Sequence, residues 1–184
     1  TKAVCERIFN DYGRAYGFDS VIFRYFNAAG AEPFSGDLGQ EPGATHIVAR
    51  VLEANIAGRA FTVNGSDYPT PDGTCIRDYV HVWDIAQAHV KAAKFLERDD
   101  LFDRTASQWI FNLGTTSGIS NKDIVDYVVK HYGLSFVNYG ERRSGDPAQL
   151  IADATLAKNA LGWLPEYSNL GTIVDSAYRW YKKC

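Results

Sequence analysis

An α/β fold, forming the C-terminal part of a larger protein, is what this sequence predicts. Three observations carry that reading. Apolar segments alternate along the whole chain between helical spacing and short β-branched or aromatic runs. The chain opens inside a helical pattern, with no strand before it. It holds one long, fully apolar strand of the parallel type, where an autonomous nucleotide-binding fold needs several.

Over residues 2–16, Val4, Cys5, Ile8, Tyr12 and Tyr16 share one helical face, and Gly17 stops the helix. Residues 20–26 (SVIFRYF) suit a buried strand. Residues 27–43 read as a loop bearing glycine and proline, and 46–56 as a second helix ending near Gly58. A short strand at 60–64 is followed by turn and loop over 65–73, with Pro69, Pro71 and an Asp-Gly pair. Residues 75–82 are extended again. Asp84 is the expected N-cap of a helix with Ile85, Ala88, Ala92 and Phe95 inside. Residues 109–113 form a strand. Ser120 and Asp123 make an S-x-x-D cap for a helix carrying Ile124, Val125, Val128 and Val129, ended by Gly133. A strand is expected at 136–139, a short helix capped by Asp153 runs through Leu161, and a last helix spans 170–182.

Composition narrows the function. Apolar residues are 46% and charged residues 22% of the 184, ordinary globular usage that excludes a disordered tail. Nineteen basic against 22 acidic residues give a net charge of −3, so bulk charge favours neither nucleic acid nor anionic membrane. An anionic ligand must be held by a few placed arginines. No apolar run approaches the roughly 20 residues of a membrane span, and no secretory signal opens the chain. Cys5, Cys75 and Cys184 are odd in number and far apart, fitting neither a disulfide framework nor a zinc site and favouring a reducing cytoplasm.

No G-x-x-x-x-G-K-[ST] occurs, and Gly30, Gly36 and Gly39 lack G-x-G-x-x-G spacing, so they read as a flexible loop. His46, His81, His89 and His131 have no metal-ligand spacing and read as ordinary surface or core histidines. No G-x-S-x-G is present. Three segments remain. Arg77-Asp78 lies inside an otherwise apolar run, where charges are costly unless paired or facing a ligand. It is either an ion pair at a sheet edge or places Arg77 in a phosphate cleft. Residues 142–147 (RRSGDP) suit a phosphate and a sugar hydroxyl, or a solvated turn. Arg24–Asn27 ends the buried strand, where open α/β sheets bind ligands, and Asn27 could there read a phosphate or base or merely serve as a helix cap or turn.

Together, RYFNAAG at 24–30, SDYPTPDGTCIRDYVHVWDIAQAH at 66–89, FNLGTTSG at 111–118 and ERRSGDPAQLIADA at 141–154 resemble the UDP-glucose 4-epimerase family of extended short-chain dehydrogenases/reductases. The resemblance covers the entire chain but only the family's C-terminal half. It implies that residues 1–30 end an NAD-binding Rossmann domain. Residues 31–184 would then be mainly a UDP-sugar-binding α/β lobe, some segments of which return to the first domain. Thr1-Lys2 looks like the end of the family's Tyr-x-x-x-Lys, making Lys2 the active-site lysine, whose charge would favour the tyrosinate of a residue upstream and hold the nicotinamide ribose.

By the same resemblance the backbone of Phe26 would touch the nicotinamide amide and Asn27 the nucleotide sugar. His46 and Ile47 would line the diphosphate site, and Thr62, Val63 and Asn64 would hold the uracil. Arg77 and Arg143 would grip the diphosphate, Tyr79 would join the substrate site, and Asp146 would bind a ribose hydroxyl. Leu150 stands near the hexose where some relatives carry a bulky tyrosine. The implied activity interconverts UDP-glucose and UDP-galactose, hydride passing from sugar C4 to NAD and returning to the other face. The implied full-length protein is a cytoplasmic homodimer, with the 2–16 helix as half of a two-helix contact. A related nucleotide-sugar epimerase or dehydratase, and a non-catalytic nucleotide-sugar-binding module, are the alternatives.

Overall fold

Six helices and nine strands make up the described part of the chain, in a computed structural model that describes residues 1–41, 43, 45–97 and 108–184. Their order is α1 (Lys2–Tyr16), β1 (Ser20–Tyr25), β2 (Asn27–Ala29), α2 (Ile47–Ile56), β3 (Phe61–Asn64), β4 (Ile76–Arg77), β5 (Tyr79–His81), α3 (Val82–Leu96), β6 (Gln108–Leu113), β7 (Ile119–Ser120), α4 (Asn121–Tyr132), β8 (Val137–Gly140), β9 (Gln149–Leu150), α5 (Thr155–Leu161) and α6 (Leu170–Tyr181). Pairing is mainly parallel: β1 with β6, β2 with β5, β3 with β8, and β4 with β9. Only β4 with β7 is antiparallel among these.

Two hydrophobic clusters fill the interior. One packs Phe111, Leu113, Trp163 and Ile85 between β1, β6, α3 and α5. The other packs Val48, Leu52, Val63, Ile124 and Ile173 between α2, α4, α6 and β3. β1 is half exposed rather than fully buried, and among the described residues it pairs with β6 alone. Arg24 clasps Glu6 of α1 through Nε (2.7 Å) and Nη2, and Gln108 donates to the Glu6 carbonyl at 2.7 Å, so α1 is tied to the β1–β6 pair by polar contacts. The face of α1 bearing Val4, Ile8, Tyr12 and Tyr16 stays exposed.

Several expectations need correction. Residues 27–29 are strand rather than loop, since β2 finds its partner β5 about fifty residues away; residue 42 of that predicted loop lies outside the described residues. The rest of the loop is strapped down. Glu32 accepts the Ser35 hydroxyl at 2.6 Å and the amides of Phe34, Ser35 and Gly36 at 2.8 Å, which hold its carboxyl down at about 2. Arg179 donates to the Pro33 carbonyl, Lys183 to that of Ser35, and Trp180 to that of Gln40.

The N-cap of α3 is His81, whose Nδ1 accepts the Trp83 amide at 3.0 Å, not Asp84. Asp84 is buried and instead accepts the amides of Glu166 and Tyr167 and the Ser168 hydroxyl, contacts that sequence spacing cannot reveal. Asp153 accepts the Thr155 amide at 2.9 Å from one residue outside the N-cap of α5, which is Ala154. The capping box of Ser120 and Asp123 forms as read.

Candidate functional site

Arg77 and Asp78 do not pair with each other. Asp78 is fully buried and accepts the Thr115 amide (2.9 Å), the Thr115 hydroxyl (2.7 Å) and the Ala152 amide (3.1 Å). It thereby fixes the junction between β4 and β5 to two distant loops. Arg77 stands on β4, the middle strand of the β7–β4–β9 sheet, with Ile119 and Leu150 as register partners. Its backbone is therefore held on both sides, and its guanidinium faces the other way from Asp78, into a cleft.

That cleft has a volume of about 220 Å³. Its floor is Asn27 of β2 and Tyr79 of β5, its walls are the start of α2 and β3, and Arg77 and Arg143 line it with Asn121. Among the described residues no acidic side chain lines it, while three arginines do, Arg50 being the third. Asp146 sits just behind them: Arg143 contacts it at 2.8 and 2.9 Å, and Arg77 approaches it to 3.8 Å. One carboxylate thus spaces two guanidinium groups, each with donors left for an oxyanion. Two helices begin at the cleft, α2 beside His46 and α4 at Asn121, adding the positive ends of their dipoles.

His46 is the N-cap of α2 and its Nδ1 accepts from the Ala49 amide at 3.5 Å. Its Nε2 meets the Gln40 side-chain oxygen, so the ring carries its proton on Nε2. Burial holds its pKa below the usual 6.5 despite nearby Glu53, which keeps the imidazole neutral at pH 7. Burial likewise pushes the Tyr79 phenol far above its usual value, so Tyr79 offers no anion. Asn27 donates from Nδ2 to the Asp78 carbonyl at 2.9 Å, leaving its amide oxygen for the cleft.

Of the residues singled out in the sequence, Asn27, His46, Ile47, Thr62, Val63, Asn64, Arg77, Tyr79 and Arg143 line this one cleft. Asp146 stands at its edge through the arginines. Leu150 is exposed on β9, and Phe26 joins β1 to β2; neither lines the cleft. Arg142 is drawn away, lying 4.4 Å over the Tyr68 ring and donating to Asp67. Lys2 lines a separate, mostly apolar hollow of about 580 Å³ between α1 and β1, with Cys5, Phe9, Ile22 and Tyr25. Thr45, Arg50, Phe61, Cys75 and Asn121 line the cleft without having been singled out. A signal for Arg50 did exist: it is four residues after His46 on the same helix face.

Helices on parallel strand pairs, with a cationic cleft beside the strands, define an α/β protein of the Rossmann type. The chain belongs to the NAD dependent epimerase/dehydratase family, whose model matches residues 1–114. It is 42% identical over 187 residues to the UDP-glucose 4-epimerase of Rhizobium meliloti, all of this chain aligning with 54% of that protein. It is 39% identical over 186 residues to that of Halalkalibacterium halodurans, again covering 54%. Among solved structures, the Brucella ovis UDP-glucose 4-epimerase in complex with NAD superposes with a TM-score of 0.86 at 41% identity, covering 96% of this chain and 53% of that one. The Bifidobacterium longum enzyme in complex with NAD+ and UDP gives 0.85 at 32% identity, covering 99% and 53%. The chain spans about half the length of the curated relatives it matches.

Proposed function

We propose that this chain is the UDP-hexose-binding part of an NAD-dependent UDP-glucose 4-epimerase. The observation that carries the reading is the convergence of Arg77 and Arg143 on one cleft beside Asn27 and the start of α2, in a chain of the epimerase family. Two guanidinium groups held by one carboxylate, in a cleft whose described lining is free of acidic residues, suit a diphosphate. In this reading Thr62, Val63 and Asn64 hold the uracil, His46 and Ile47 wall the diphosphate, and Asp146 meets a ribose hydroxyl. Asn27 contacts the sugar with its free amide oxygen. Tyr79 closes the floor of the cleft beneath the substrate, and Leu150 stands exposed beside Arg77 on the hexose side.

The residues present fit one end of an NAD molecule. Lys2 on the first turn of α1 and Tyr25 at the carboxyl end of β1 line the same hollow, a cation over an apolar floor where parallel strands end. NAD bound there would supply the hydride acceptor and donor for sugar C4. Lys2 would hold the nicotinamide ribose and place positive charge beside the catalytic base, and the Phe26 backbone would meet the nicotinamide amide. The anchor must hold UDP firmly while hexose contacts stay weak, so that the sugar can turn; the rigid setting of Arg77 supplies the firm end.

We assign residues 1–30 to the end of the NAD-binding domain and 31–184 to the sugar-nucleotide lobe. The two separate clusters support the division, and α3, β6 and α5 supply the returning segments. The full-length protein is proposed to be a cytoplasmic homodimer, supported by the exposed apolar face of α1. No helix among the described residues is long and apolar enough to cross a membrane. The test is conversion of UDP-galactose to UDP-glucose by the full-length protein with NAD. Turnover lost in Lys2→Ala with UDP binding retained is expected; binding of UDP-sugar without turnover in the wild type would favour the non-catalytic module instead.

A further inference from the structure

We propose that Arg50 is a specificity residue that donates to a carbonyl oxygen of the nucleotide's base; the inference rests on the reading of the cleft as a UDP site and deepens it. Arg50 lines the cleft and the shallow groove that continues past it along β3. Its guanidinium carbon lies 6.0 Å from the Phe61 ring centroid, the aromatic face backing the planar fork. The acid best placed to neutralise it, Glu53 three residues on, is engaged elsewhere, accepting the Gly43 amide at 2.7 Å. Among the described residues Arg50 forms no ion pair and no side-chain hydrogen bond, whereas Arg77 and Arg143 both lean on Asp146.

Position decides what Arg50 addresses. It meets β3 at Phe61, the first residue of that strand. Arg143 follows the end of β8, whose last residue Gly140 pairs with Asn64 at the other end of β3. Three strand steps separate the two ends, about 10 Å at the usual rise. Arg50 therefore stands at the Phe61 end of β3, while Arg143 comes off the strand paired with its Asn64 end. With Arg77 and Arg143 on the phosphates and Thr62 and Asn64 between, Arg50 falls at the base. A guanidinium is a donor only, so the group it recognises is an acceptor: a base carbonyl and not a ring amine.

The test is calorimetry on the full-length protein with uridine, UMP and UDP, comparing wild type with Arg50→Met, which keeps the stem on Phe61 and removes the donors. Arg50 is exposed, so the variant is expected to fold, and an unchanged melting temperature checks this. Loss of one donor to a carbonyl at a partly solvated site predicts weakening by about tenfold. The factor should be common to all three ligands. A loss that appears only with UDP, growing with the phosphates, would overturn the inference by making Arg50 part of the diphosphate grip. Unchanged affinity for all three would overturn it equally. Failure of the wild type itself to bind UDP would instead sink the underlying reading of the cleft.

Discussion

Replacing Asp78 by alanine should destabilise the protein more than any other single change at the cleft. The carboxylate is fully buried and serves the Thr115 amide, the Ala152 amide and the Thr115 hydroxyl. The hydroxyl has a second acceptor in the Ser117 carbonyl at 2.6 Å, so it is not orphaned. The two amides are. At roughly 1–3 kcal/mol for each unsatisfied buried group, the cost is about 4 kcal/mol. With a urea slope of about 2–3 kcal/mol/M, the midpoint of unfolding should fall by about 1.5 M. Asp78→Asn keeps one acceptor oxygen but turns an NH2 toward an amide, so it should lose about half as much. Gly114, which packs so closely that an added Cβ would come within 2.5 Å of Asp78 and Ala152, has no side chain with which to fill the gap. UDP affinity should fall as well, since Arg77 is the adjacent residue. A midpoint shift below about 0.2 M in Asp78→Ala would refute the reasoning, and so would full rescue by asparagine.

Gly30→Ala places a methyl 2.7 Å from the buried His81 ring at a φ of +88°, so a loss of roughly 2–4 kcal/mol is expected by urea titration. His46 and His81 both have pKa values held below 6.5 by burial, so the unfolded state binds more protons; stability should be full above about pH 6.5 and decline as pH falls below it, read as lower urea midpoints at pH 5 than at pH 7. The Tyr181 hydroxyl is buried without a hydrogen-bond partner among the described residues, so Tyr181→Phe should leave stability unchanged or raise it by about 1 kcal/mol in thermal melts.

What the sequence shows and what it hides divide along a physical line. α1, α4 and α6 are legible because their signals are local: an i, i+4 face, a capping box, a glycine stop at Gly17 or Gly133. β2 is not, because a three-residue strand exists only through its pairing with Tyr79–His81. Asp84 has the composition of an N-cap, but its carboxylate is taken by residues 166–168, more than eighty positions away. Arg77 and Arg143 stand out in sequence as charges in unusual company, and motif resemblance adds His46 and residues 62–64. Arg50 and Asn121 reach the same cleft from helix starts, where a polar residue looks like ordinary solvated surface until β3 and β4 are placed beside it.

The central claim, that the arginine cleft binds the diphosphate of a UDP-sugar, is tested most directly by titrating UDP into the full-length protein and its Arg77→Met and Arg143→Met variants. One saturable site is expected in the wild type. Arg77→Met should cost roughly 1.5–3 kcal/mol, and Arg143→Met less, because its side chain is 60% exposed. The double variant should show no measurable binding. UDP affinity that is unchanged in all three variants would contradict the account and leave these arginines as partners of Asp146 alone.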